Sequence, residues 1–502
     1  MVINLKINET MKKLFYTFGA ALVMLASVSC EKKDNSAKEE PSRDEKVNMT
    51  FTAAANSAAE RTTVTDGTTV VWSDGDAIRV FANGETSGDV CDMTSEAGKT
   101  YATFEGQCAK QGPWTAIYPA FDGATYSDGA ITFTMPAEQT YAENTFAQGA
   151  MPCVAYSETT EFTFNHSFGV LKLSLKLASG KTGSVKSITV TTKGTEKLNG
   201  TFTVTPKTSA TAAKSGTDGT NAITLNCVTG EYEEGVELSE IAKDFWIVVP
   251  AGAFANGFDV EITTIDDKIA TLSTENDNTI KVGEIKPMPE KEIMFTAGYA
   301  AVKTEAGIPG NKVKWVQLWE NGPKWAEYNV GATSVEGVGF HYRWGGIIDN
   351  GDDYVEGYDE NPLSAHDAAK NLWGDKWKMP TKEDILHLVG GVAVEGEDGT
   401  VRAKSVYLDS SESGYGIAGM LCTGIEEGYK DNSVFFPAAG LCSEKETGVV
   451  GVGYVGGYWA SSINYSGMDC DFAYAIYILP AEIKRMSLLR NWWFSVRAVL
   501  AE

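Results

Sequence analysis

The sequence predicts a mainly β protein that ends in an α+β part. Between residues 47 and 296, apolar side chains recur at every second position, which is the period of a strand with one buried face. The composition changes at the end of this region: 40 threonines lie inside it, whereas nine of the 12 tryptophans lie beyond residue 310. At 502 residues the chain is too long for one hydrophobic core. We therefore expect several domains, with the β-sheet domains first.

The first 29 residues predict an export signal. A pair of lysines precedes an apolar stretch, residues 14–28, which is shorter than the ~20 residues of a membrane-spanning helix. Small residues then lead to Cys30, and this ending resembles the signals of bacterial lipoproteins. The resemblance implies cleavage just before Cys30 and acylation of Cys30, with palmitate as a typical acyl chain. An ordinary secretory signal with an incidental cysteine is the alternative.

Residues 30–46 predict a disordered tether behind that cysteine. From Glu31 to Lys46 the chain has six acids and five bases, with no aromatic or β-branched residue. Such a segment buries too little apolar surface to offset its chain entropy. We expect the tether to hold the remaining domains at the surface of the cell outer membrane.

The strands of the front part are visible as alternating runs. Apolar residues on one face and polar residues on the other are typical of antiparallel sheets with one buried side. Four runs show the pattern clearly: Ile131–Met135, Leu171–Leu177, Phe202–Val204 and Phe258–Ile262. The segment Ser73–Asp76 separates two further runs, 69–72 and 78–81, and predicts a hairpin turn between them.

The front part is long enough for two consecutive antiparallel β-sandwich domains. Its strands recur at short intervals with Gly, Asn, Asp and Ser between them, which favours a sandwich architecture. About 250 residues is more than one such domain usually needs. A plausible junction begins at Asn165, so we predict sandwiches over 47–165 and 166–296.

Four motifs in this order resemble the fimbrillin-like lipoproteins of Bacteroidetes: Arg61–Thr63, Trp72–Phe81, Ile117–Pro119 and Phe168–Leu171. The resemblance covers residues 11–296 and implies two sandwich domains behind a lipoprotein signal. Members of that family are subunits or tips of surface fimbriae, or surface lipoproteins without a known pilus.

The same resemblance implies a processing site. In assembling members, a trypsin-like protease cuts after an arginine near the first strand, and a strand of another subunit then fills the opened groove. Arg61 is the candidate arginine in this chain, and Arg43 in the tether is the second. A solvated turn residue is the alternative interpretation of Arg61.

The back part predicts a linker and an α+β head. Pro and Gly are frequent on either side of residue 297, so we predict a linker over 297–312 and the head over 313–502. Ser364 is the expected cap of a helix that ends at Trp373. A second helix is expected after a capping-box signal at Pro380–Asp384. Short strands are expected at Val434–Phe436, Tyr458–Ser461, Phe472–Ile478 and Phe494–Leu500.

Six ordered motifs closely resemble the Fibrobacter succinogenes major paralogous domain: Trp325–Thr333, Tyr342–Gly345, Trp373–Thr381, Phe436–Gly440, Tyr458–Ser462 and Phe494–Val499. The resemblance covers residues 313–500 and implies a C-type-lectin-like α+β domain that presents a ligand-binding surface on bacterial surface proteins. We expect the tryptophans of these motifs to be scaffold, because a buried indole fills a core and its N–H requires a partner.

One acidic loop is the candidate cation site of the chain. Residues 349–360 carry six acids and no base, and Ca²⁺ is bound by several oxygen ligands. The loop lacks the residue order of an EF-hand and the Glu-Pro-Asn of Ca²⁺-dependent lectins. A solvated acidic loop is therefore the preferred interpretation, with Ca²⁺ as the alternative. Tyr354 and Tyr358 are candidates for stacking on sugars.

The sequence does not predict a catalytic centre or any resident cofactor. His341, His366 and His387 form no zinc-binding pair, and no serine lies in a G-x-S-x-G turn. Of the eight cysteines, the pairs Cys91–Cys108 and Cys422–Cys442 are close in sequence. They form disulfides in an oxidising compartment, or remain buried thiols; the spacing leaves both open.

These observations predict a surface lipoprotein that acts as a fimbrial tip or fimbria-like adhesin and presents a lectin-like head. Its expected partners are a host or bacterial surface glycan or protein, and other fimbrillin-like subunits through strand exchange. A net charge of −25 excludes nucleic acid as a partner, since phosphate backbones are repelled. A glycan-binding lipoprotein that captures polysaccharide is the alternative function.

Overall fold

The computed structural model describes ten segments of the chain: 45–55, 63–64, 70–82, 85–206, 209, 211–353, 366–393, 396–443, 448–464 and 472–501. Within them the fold is mainly β, with strands from Lys46 to Leu500. Both α-helices in the described part lie beyond residue 366.

The front strands share the alternation that the sequence predicts. They are β1 (Lys46–Ala55), β2 (Thr63–Val64), β3 (Val70–Val71), β4 (Ala77–Ala82), β5 (Asp89–Met93), β6 (Tyr101–Ala109), β7 (Trp114–Tyr118), β8 (Thr125–Ser127), β9 (Ala130–Met135), β10 (Glu138–Ala142), β11 (Thr145–Phe146), β12 (Cys153–Ser157) and β13 (Glu161–His166). Seven of them close into a barrel in the order β1-β13-β12-β7-β4-β5-β6.

The barrel differs from the open antiparallel sandwich that we expected for residues 47–165. Strand β1 pairs with β6 in antiparallel fashion along nine positions, from Lys46–Ala109 to Ala54–Tyr101. On its other side β1 pairs with β13 in parallel over four positions that begin at Thr52–Glu161. Because the first strand bonds to both neighbours, it joins two sheet edges and closes the barrel.

The predicted hairpin around Ser73–Asp76 is wrong in its pairing. The turn exists, since the Asp76 amide donates to the Ser73 carbonyl over 3.1 Å. However, β3 before it pairs with β2, and β4 after it pairs with β5 and β7. The turn therefore carries the chain between two sheets rather than between neighbouring strands.

Most strands of the middle unit, residues 166–296, lie in two sheets that share one core. Its strands are β14 (Phe168–Lys176), β15 (Gly183–Thr192), β16 (Gly200–Val204), β17 (Lys214–Ser215), β18 (Ala222–Asn226), β19 (Val236–Leu238), β20 (Lys243–Pro250), β21 (Phe258–Thr264), β22 (Lys268–Thr274), β23 (Ile285–Pro287) and β24 (Lys291–Glu292). Strand β14 pairs with β20 over eight positions, and its alternating leucines are buried as predicted. The aliphatic core between the sheets holds these leucines together with Val260 and Ile262 of β21.

Hydrogen bonding crosses the border that the sequence suggested at Asn165. Strand β9 pairs with β16, and β10 pairs in parallel with β18 of the middle unit. The rings of Phe133 on β9 and Phe202 on β16 stack with their centroids 6.2 Å apart. The front segment between residues 130 and 142 thus supplies strands to sheets that the middle unit completes.

The back part contains two helices and two three-stranded meanders. Its elements are β25 (Ala297–Ala301), β26 (Lys312–Gln317), β27 (Lys324–Ala326), α1 (Ala368–Trp373), β28 (Trp377–Lys378), α2 (Lys382–Val389), β29 (Ala403–Leu408), β30 (Gly419–Gly424), β31 (Ser433–Pro437), β32 (Gly456–Ile463), β33 (Phe472–Leu479), β34 (Glu482–Leu489) and β35 (Val499–Leu500). The meanders are β29-β30-β31 and β32-β33-β34. The head is hereafter the part from residue 313 onward.

The first five residues of the predicted linker over 297–312 instead form a strand of a continuous sheet. Strand β25 pairs with β22 of the middle unit and with β26 of the head. Gly298 allows this junction, since a Cβ there would lie 2.6 Å from the Asp267 carbonyl oxygen and 2.7 Å from the Trp315 ring. The head is therefore hydrogen-bonded to the middle unit through one shared strand.

The two helices begin at different kinds of cap. The Asp367 side chain caps α1 by accepting from the Lys370 amide over 3.0 Å, so the helix starts later than the predicted Ser364 cap, which lies outside the described residues. The capping box of α2 is confirmed. Thr381 Oγ1 accepts from the Asp384 amide over 3.1 Å, and the Asp384 carboxylate accepts from the Thr381 amide over 2.8 Å.

The last described strand lies inside the head. The expected strand Phe494–Leu500 is regular only at β35, where Val499 lies between Trp325 of β27 and Lys378 of β28. Phe494 and Ser495 form isolated bridges to Tyr342 and Tyr458. The last strand is thus a paired, internal element of the head sheet.

Candidate functional site

Several predicted site residues lie outside the part of the chain that the structure describes. They are Cys30, Arg43, Arg61, Tyr354 and Tyr358. The position of Arg61 in the chain is nevertheless defined by its neighbours, since β1 ends at Ala55 and β2 begins at Thr63. Arg43 precedes β1.

The inner face of β1 is part of the barrel core. Phe51 is fully buried, and its ring stacks on Phe162 of β13 at 5.4 Å and meets Trp114 of β7 edge-on at 5.9 Å. Ala53 is buried on the same face. At the start of the strand, Lys46 forms an ion pair with Asp89, whose hydrogen bond raises the pKa of the lysine. We call the space that β1 occupies between β6 and β13 the barrel groove.

The motif Trp72–Phe81 has a scaffold role beneath this groove. The Trp72 ring meets Phe104, Tyr118 and Phe164 edge-on, with centroids 5.1 to 5.8 Å apart. Such edge-on packing fills the centre of the barrel with aromatic surface.

The buried carboxylate of Asp76 holds the same region by hydrogen bonds. It accepts from the Ser73 amide over 2.7 Å, from the Tyr118 hydroxyl over 2.8 Å and from Gln148 Nε2 over 2.8 Å. Burial, together with the Asp76 charge, raises the pKa of Tyr118 well above its usual value. Asp76 therefore fixes the turn after Trp72 rather than serving a ligand.

The three histidines of the head each face a separate backbone carbonyl. His341 Nε2 lies 2.9 Å from the Ala439 oxygen, and burial lowers the pKa of this imidazole. His387 on α2 lies 3.0 Å from the Asp398 oxygen. His366 lies 3.2 Å from the Gly345 oxygen and precedes α1, whereas the sequence placed it on that helix. These contacts are those of structural imidazoles.

The described carboxylates of the acidic loop are already engaged within the protein. Asp349 Oδ1 accepts from the His341 amide over 3.0 Å, and Asp353 Oδ2 accepts from the Ile347 amide over 2.7 Å. Asp352 pairs with Arg343 over 2.8 Å. Over the described part of the chain, no group of three His, Cys, Asp or Glu side chains is arranged to hold a metal ion. Residues 354–360 of the loop lie outside that part.

The tryptophans of the head are scaffold, as predicted. Seven of the nine are buried, and three indoles donate to backbone carbonyls on distant segments: Trp344 to Ala460 over 2.8 Å, Trp459 to Tyr342 over 2.9 Å and Trp377 to Ala301 over 3.1 Å. Each of these three indoles fills the core and also donates to a carbonyl far away in the sequence. The expectation that every buried indole N–H finds a partner is wrong for Trp325 and Trp373, whose Nε1 atoms have none among the described residues.

Sequence reasoning missed a buried arginine in the last motif. Arg497 is 1% exposed and donates to the carbonyls of Ala326 over 2.9 Å and Phe435 over 2.7 Å, and also to that of Glu327. Its guanidinium lies 4.7 Å from the centre of the Phe436 ring. Desolvation lowers the pKa of Arg497 to about 10. The signal was the nearly continuous apolar run around it, from Phe494 to Leu500, since such a run is typical of a segment buried on both faces.

A second buried cation lies at the base of the last meander. Arg485 forms two contacts with the Glu397 carboxylate, at 3.0 and 2.9 Å, and both side chains are 2% exposed. Lys382 at the start of α2 reaches the same carboxylate over 3.1 Å. Nothing in the sequence pairs these residues, because they come from three separate segments.

Within the described part of the head, one segment carries several exposed apolar side chains. Val450, Val452 and Tyr454 are 43%, 51% and 62% exposed within a glycine-rich segment. The Tyr407 hydroxyl donates to the Tyr454 carbonyl over 3.2 Å, which anchors the segment to β29. We call Val450–Tyr454 the apolar loop. An exposed tyrosine on a segment anchored through its backbone is suited to stack on a sugar ring or an apolar side chain.

Comparison with known proteins gives distant structural similarity. No family model matches the chain, and no curated protein matches it. A candidate cell adhesion protein from Bacteroides uniformis is 14% identical, with a TM-score of 0.28, over 45% of this chain and 83% of its own. One from Bacteroides ovatus is 16% identical, with a TM-score of 0.29, over 50% and 89%.

The tip fimbrial protein Mfa3 from Porphyromonas gingivalis, truncated at its C-terminus, is also similar. It is 11% identical, with a TM-score of 0.20, over 55% of this chain and all of its own. TM-scores this low carry no argument about the fold or the function of this chain. Within the described residues, no helix is both long and apolar enough to cross a membrane.

Proposed function

We propose that the chain is a fimbria-associated surface adhesin, anchored by lipid at Cys30 and presenting the head. The observation that supports the proposal best is the placement of β1. This strand is a wall of the barrel, it is the first strand of the described chain, and the segment with Arg61 follows it directly. A strand in that position is separable from the rest of the barrel by one cut in the chain.

The topology distinguishes the two candidate arginines. A cut after Arg43 leaves β1 joined to the barrel, because that arginine precedes Lys46. A cut after Arg61 separates β1, together with the lipid at Cys30, from every later strand, so in this proposal the lipid anchors the chain only until β1 leaves. Only the second cut frees the nine pairing positions along β6 and the four along β13.

An emptied barrel groove has the chemistry of an acceptor for a strand. Two edges with unpaired amides and carbonyls would face each other across the apolar positions that Phe51 and Ala53 now fill. A strand from another subunit, with small or aromatic residues at alternate positions, would satisfy both requirements. We propose that other fimbrillin-like subunits supply that strand.

The experiment compares Arg61→Ala with Arg43→Ala in the exported chain, each treated with a trypsin-like protease. We expect the natural chain and Arg43→Ala to lose residues 46–55 and to form oligomers. We expect Arg61→Ala to keep β1 and to remain monomeric. N-terminal sequencing and native size separation provide the readouts. Equal cleavage and equal assembly of Arg61→Ala would contradict the processing role.

The head favours a terminal position in an assembly. Its last strand, β35, is paired on both sides inside the head and is not a free donor. We propose that the apolar loop contributes to the adhesive surface. The full chain is the right material for testing this, because β25 joins the head to the middle unit and a cut near residue 305 would leave that strand behind.

The adhesive role is tested with Tyr454→Ala on immobilised glycans, proteins and bacterial cells. We expect weaker binding of the variant, with Tyr101→Ala, which is equally exposed but lies on the barrel, as the matched control. If the intact chain binds none of these surfaces, the adhesin proposal is contradicted. Binding to soluble polysaccharide, lost in Tyr454→Ala, would instead favour glycan capture.

A further inference from the structure

The barrel contains two thiols in contact on neighbouring strands. Cys91 on β5 and Cys108 on β6 are both buried, and their sulfur atoms lie 3.2 Å apart. By contrast, Cys422 contacts the Ser405 hydroxyl over 3.2 Å, and Cys442 contacts the Ser443 carbonyl over 3.5 Å.

A glycine makes this contact possible. The pairing of Asp92 with Glu105 places Cys91 opposite Gly106, so Cys108 lies one step along the same face of β6. A Cβ on Gly106 would lie 2.8 Å from Cys91 Sγ, closer than two such atoms pack. Because Gly106 has no side chain, the Cys91 sulfur has space to contact Cys108.

We propose that Cys91 and Cys108 form a disulfide that ties β6 to β5 and keeps β6 in place when β1 is absent. Strand β6 has nine pairing positions with β1, but its ladder with β5 has two, Asp92–Glu105 and Met93–Phe104. The thiols lie at the other end of β6, near the Lys46–Ala109 pair, where β1 is the neighbour that holds the strand. The second half of this proposal rests on the release of β1 proposed above.

The oxidation requires a disulfide-bearing oxidant, either a protein or a small molecule. One cysteine thiolate attacks a sulfur of that oxidant and gives a mixed disulfide. The second thiolate then attacks the first cysteine, and the oxidant leaves with both electrons and both protons as two thiols. In the closed barrel the hydrogen bond between the thiols and their burial raise the pKa of Cys91 far above its usual value. The exchange therefore precedes closure of the barrel over the pair.

Peptide mapping of the exported full chain tests the cross-link. Trypsin cuts after Arg79, Lys99 and Lys110, so Cys91 lies in the peptide 80–99 and Cys108 in 100–110. After the chain is unfolded in denaturant and its free thiols are alkylated, we expect these two peptides to be joined without reductant and separate with it. Cys227, which lies on the peptide 215–243 with no other cysteine, is the control that should be alkylated. Alkylated Cys91 and Cys108 in the unreduced chain would overturn the cross-link.

Hydrogen exchange tests the role of the bond in holding β6. A site-specific protease sequence replaces residues 56–62, which makes the test independent of natural processing at Arg61. After the cut and removal of β1 in mild denaturant, we expect Cys91→Ser/Cys108→Ser to exchange the amides of β6 roughly tenfold faster than the oxidised chain. The uncut double variant, with β1 still paired to β6, should show little change. Equal exchange rates in the cut oxidised chain and the cut variant would overturn the proposal that the disulfide keeps β6 in place. Whether the disulfide forms is tested separately by the peptide map.

Discussion

The barrel and the head both bury aromatic rings, but they differ in what else they bury. In the barrel, strands pair around the whole circumference, and the buried polar groups are few, with Asp76 as the main carboxylate. In the head, short strands alternate with long irregular segments, and three arginines, Arg485, Arg490 and Arg497, are buried with the aromatic rings. The contrast shows two ways of giving hydrogen-bond partners to the backbone N–H and C=O groups inside a protein.

In the barrel, the closed ladder pairs the strands on both sides, and side chains such as Asp76 add bonds mainly at the turns. Irregular segments have carbonyls with no ladder partner, and a buried carbonyl without a donor is costly. In the head, three indoles and the Arg497 guanidinium donate hydrogen bonds to backbone oxygens on distant segments. The head should therefore depend on single polar residues, whereas the barrel should depend on apolar volume.

The largest expected effect comes from Arg497→Ala. The change removes three charge-assisted hydrogen bonds and leaves the carbonyls of Ala326 and Phe435 buried without that donor. We expect a loss of roughly 5 kcal/mol in the free energy of unfolding. Denaturant unfolding measures it, with the half-exposed Arg402→Ala as control, for which a loss below about 1 kcal/mol is expected. Equal losses would show that buried donors do not hold the head.

Phe51→Ala tests the apolar side of the comparison. This ring lies between Phe162 and Trp114, so its removal leaves a cavity in the barrel and should cost about 3–4 kcal/mol. Thr50→Ala, on the exposed face of the same strand, should change the stability little. Thermal unfolding followed by barrel tryptophan fluorescence compares the two. A loss as small as that of Thr50→Ala would mean that β1 contributes pairing but no packing.

Gly298→Ala probes the junction where the head meets the middle unit. The new Cβ would press on the Asp267 carbonyl and the Trp315 ring, and such overpacking should cost about 1–3 kcal/mol. Gly230→Ala, where a Cβ meets nothing within 4 Å, is the matched control. Limited proteolysis around residues 297–312 should increase in the first variant only. Unchanged protection would indicate that β25 tolerates a wider sheet.

The smallest expected effect is a pH dependence from His341. Burial lowers the pKa of this imidazole below its usual 6.5, so the unfolded chain takes up the proton first as the pH falls. The imidazole therefore costs nothing above pH 6.5 and reduces stability as the pH drops below it. His341→Gln should flatten this part of the curve of unfolding free energy against pH. A curve of the same slope in the variant would assign the dependence to other groups.

Much of the fold was predictable where the signal is local. Alternation identified the leucines of β14 and the buried faces of β9 and β21, since every second side chain of a strand points to one side. The capping box at Thr381 was also correct, because both of its partners lie within one turn of the helix. The scaffold role of the head tryptophans followed from their size and their single donor.

Other features depend on residues that are distant in the chain. The hairpin at Ser73 was mispaired because a turn sequence does not identify the partners of the strands around it. The supposed linker became β25 because its pairing with β22 and β26 depends on both neighbours being present. The Arg485–Glu397 pair spans 88 positions and leaves no local pattern.

By itself, the sequence determined the β character of the front, the change of composition near residue 300 and the residues that face inward along each strand. These follow from side-chain period and from composition, which are properties of short stretches. The tertiary structure alone decided that β1 closes a barrel, that one sheet runs from the middle unit into the head, and that Cys91 meets Cys108 across Gly106. Those outcomes depend on which strand edges pair with each other. The packing of the whole chain selects the pairs, so no short stretch of sequence contains the information.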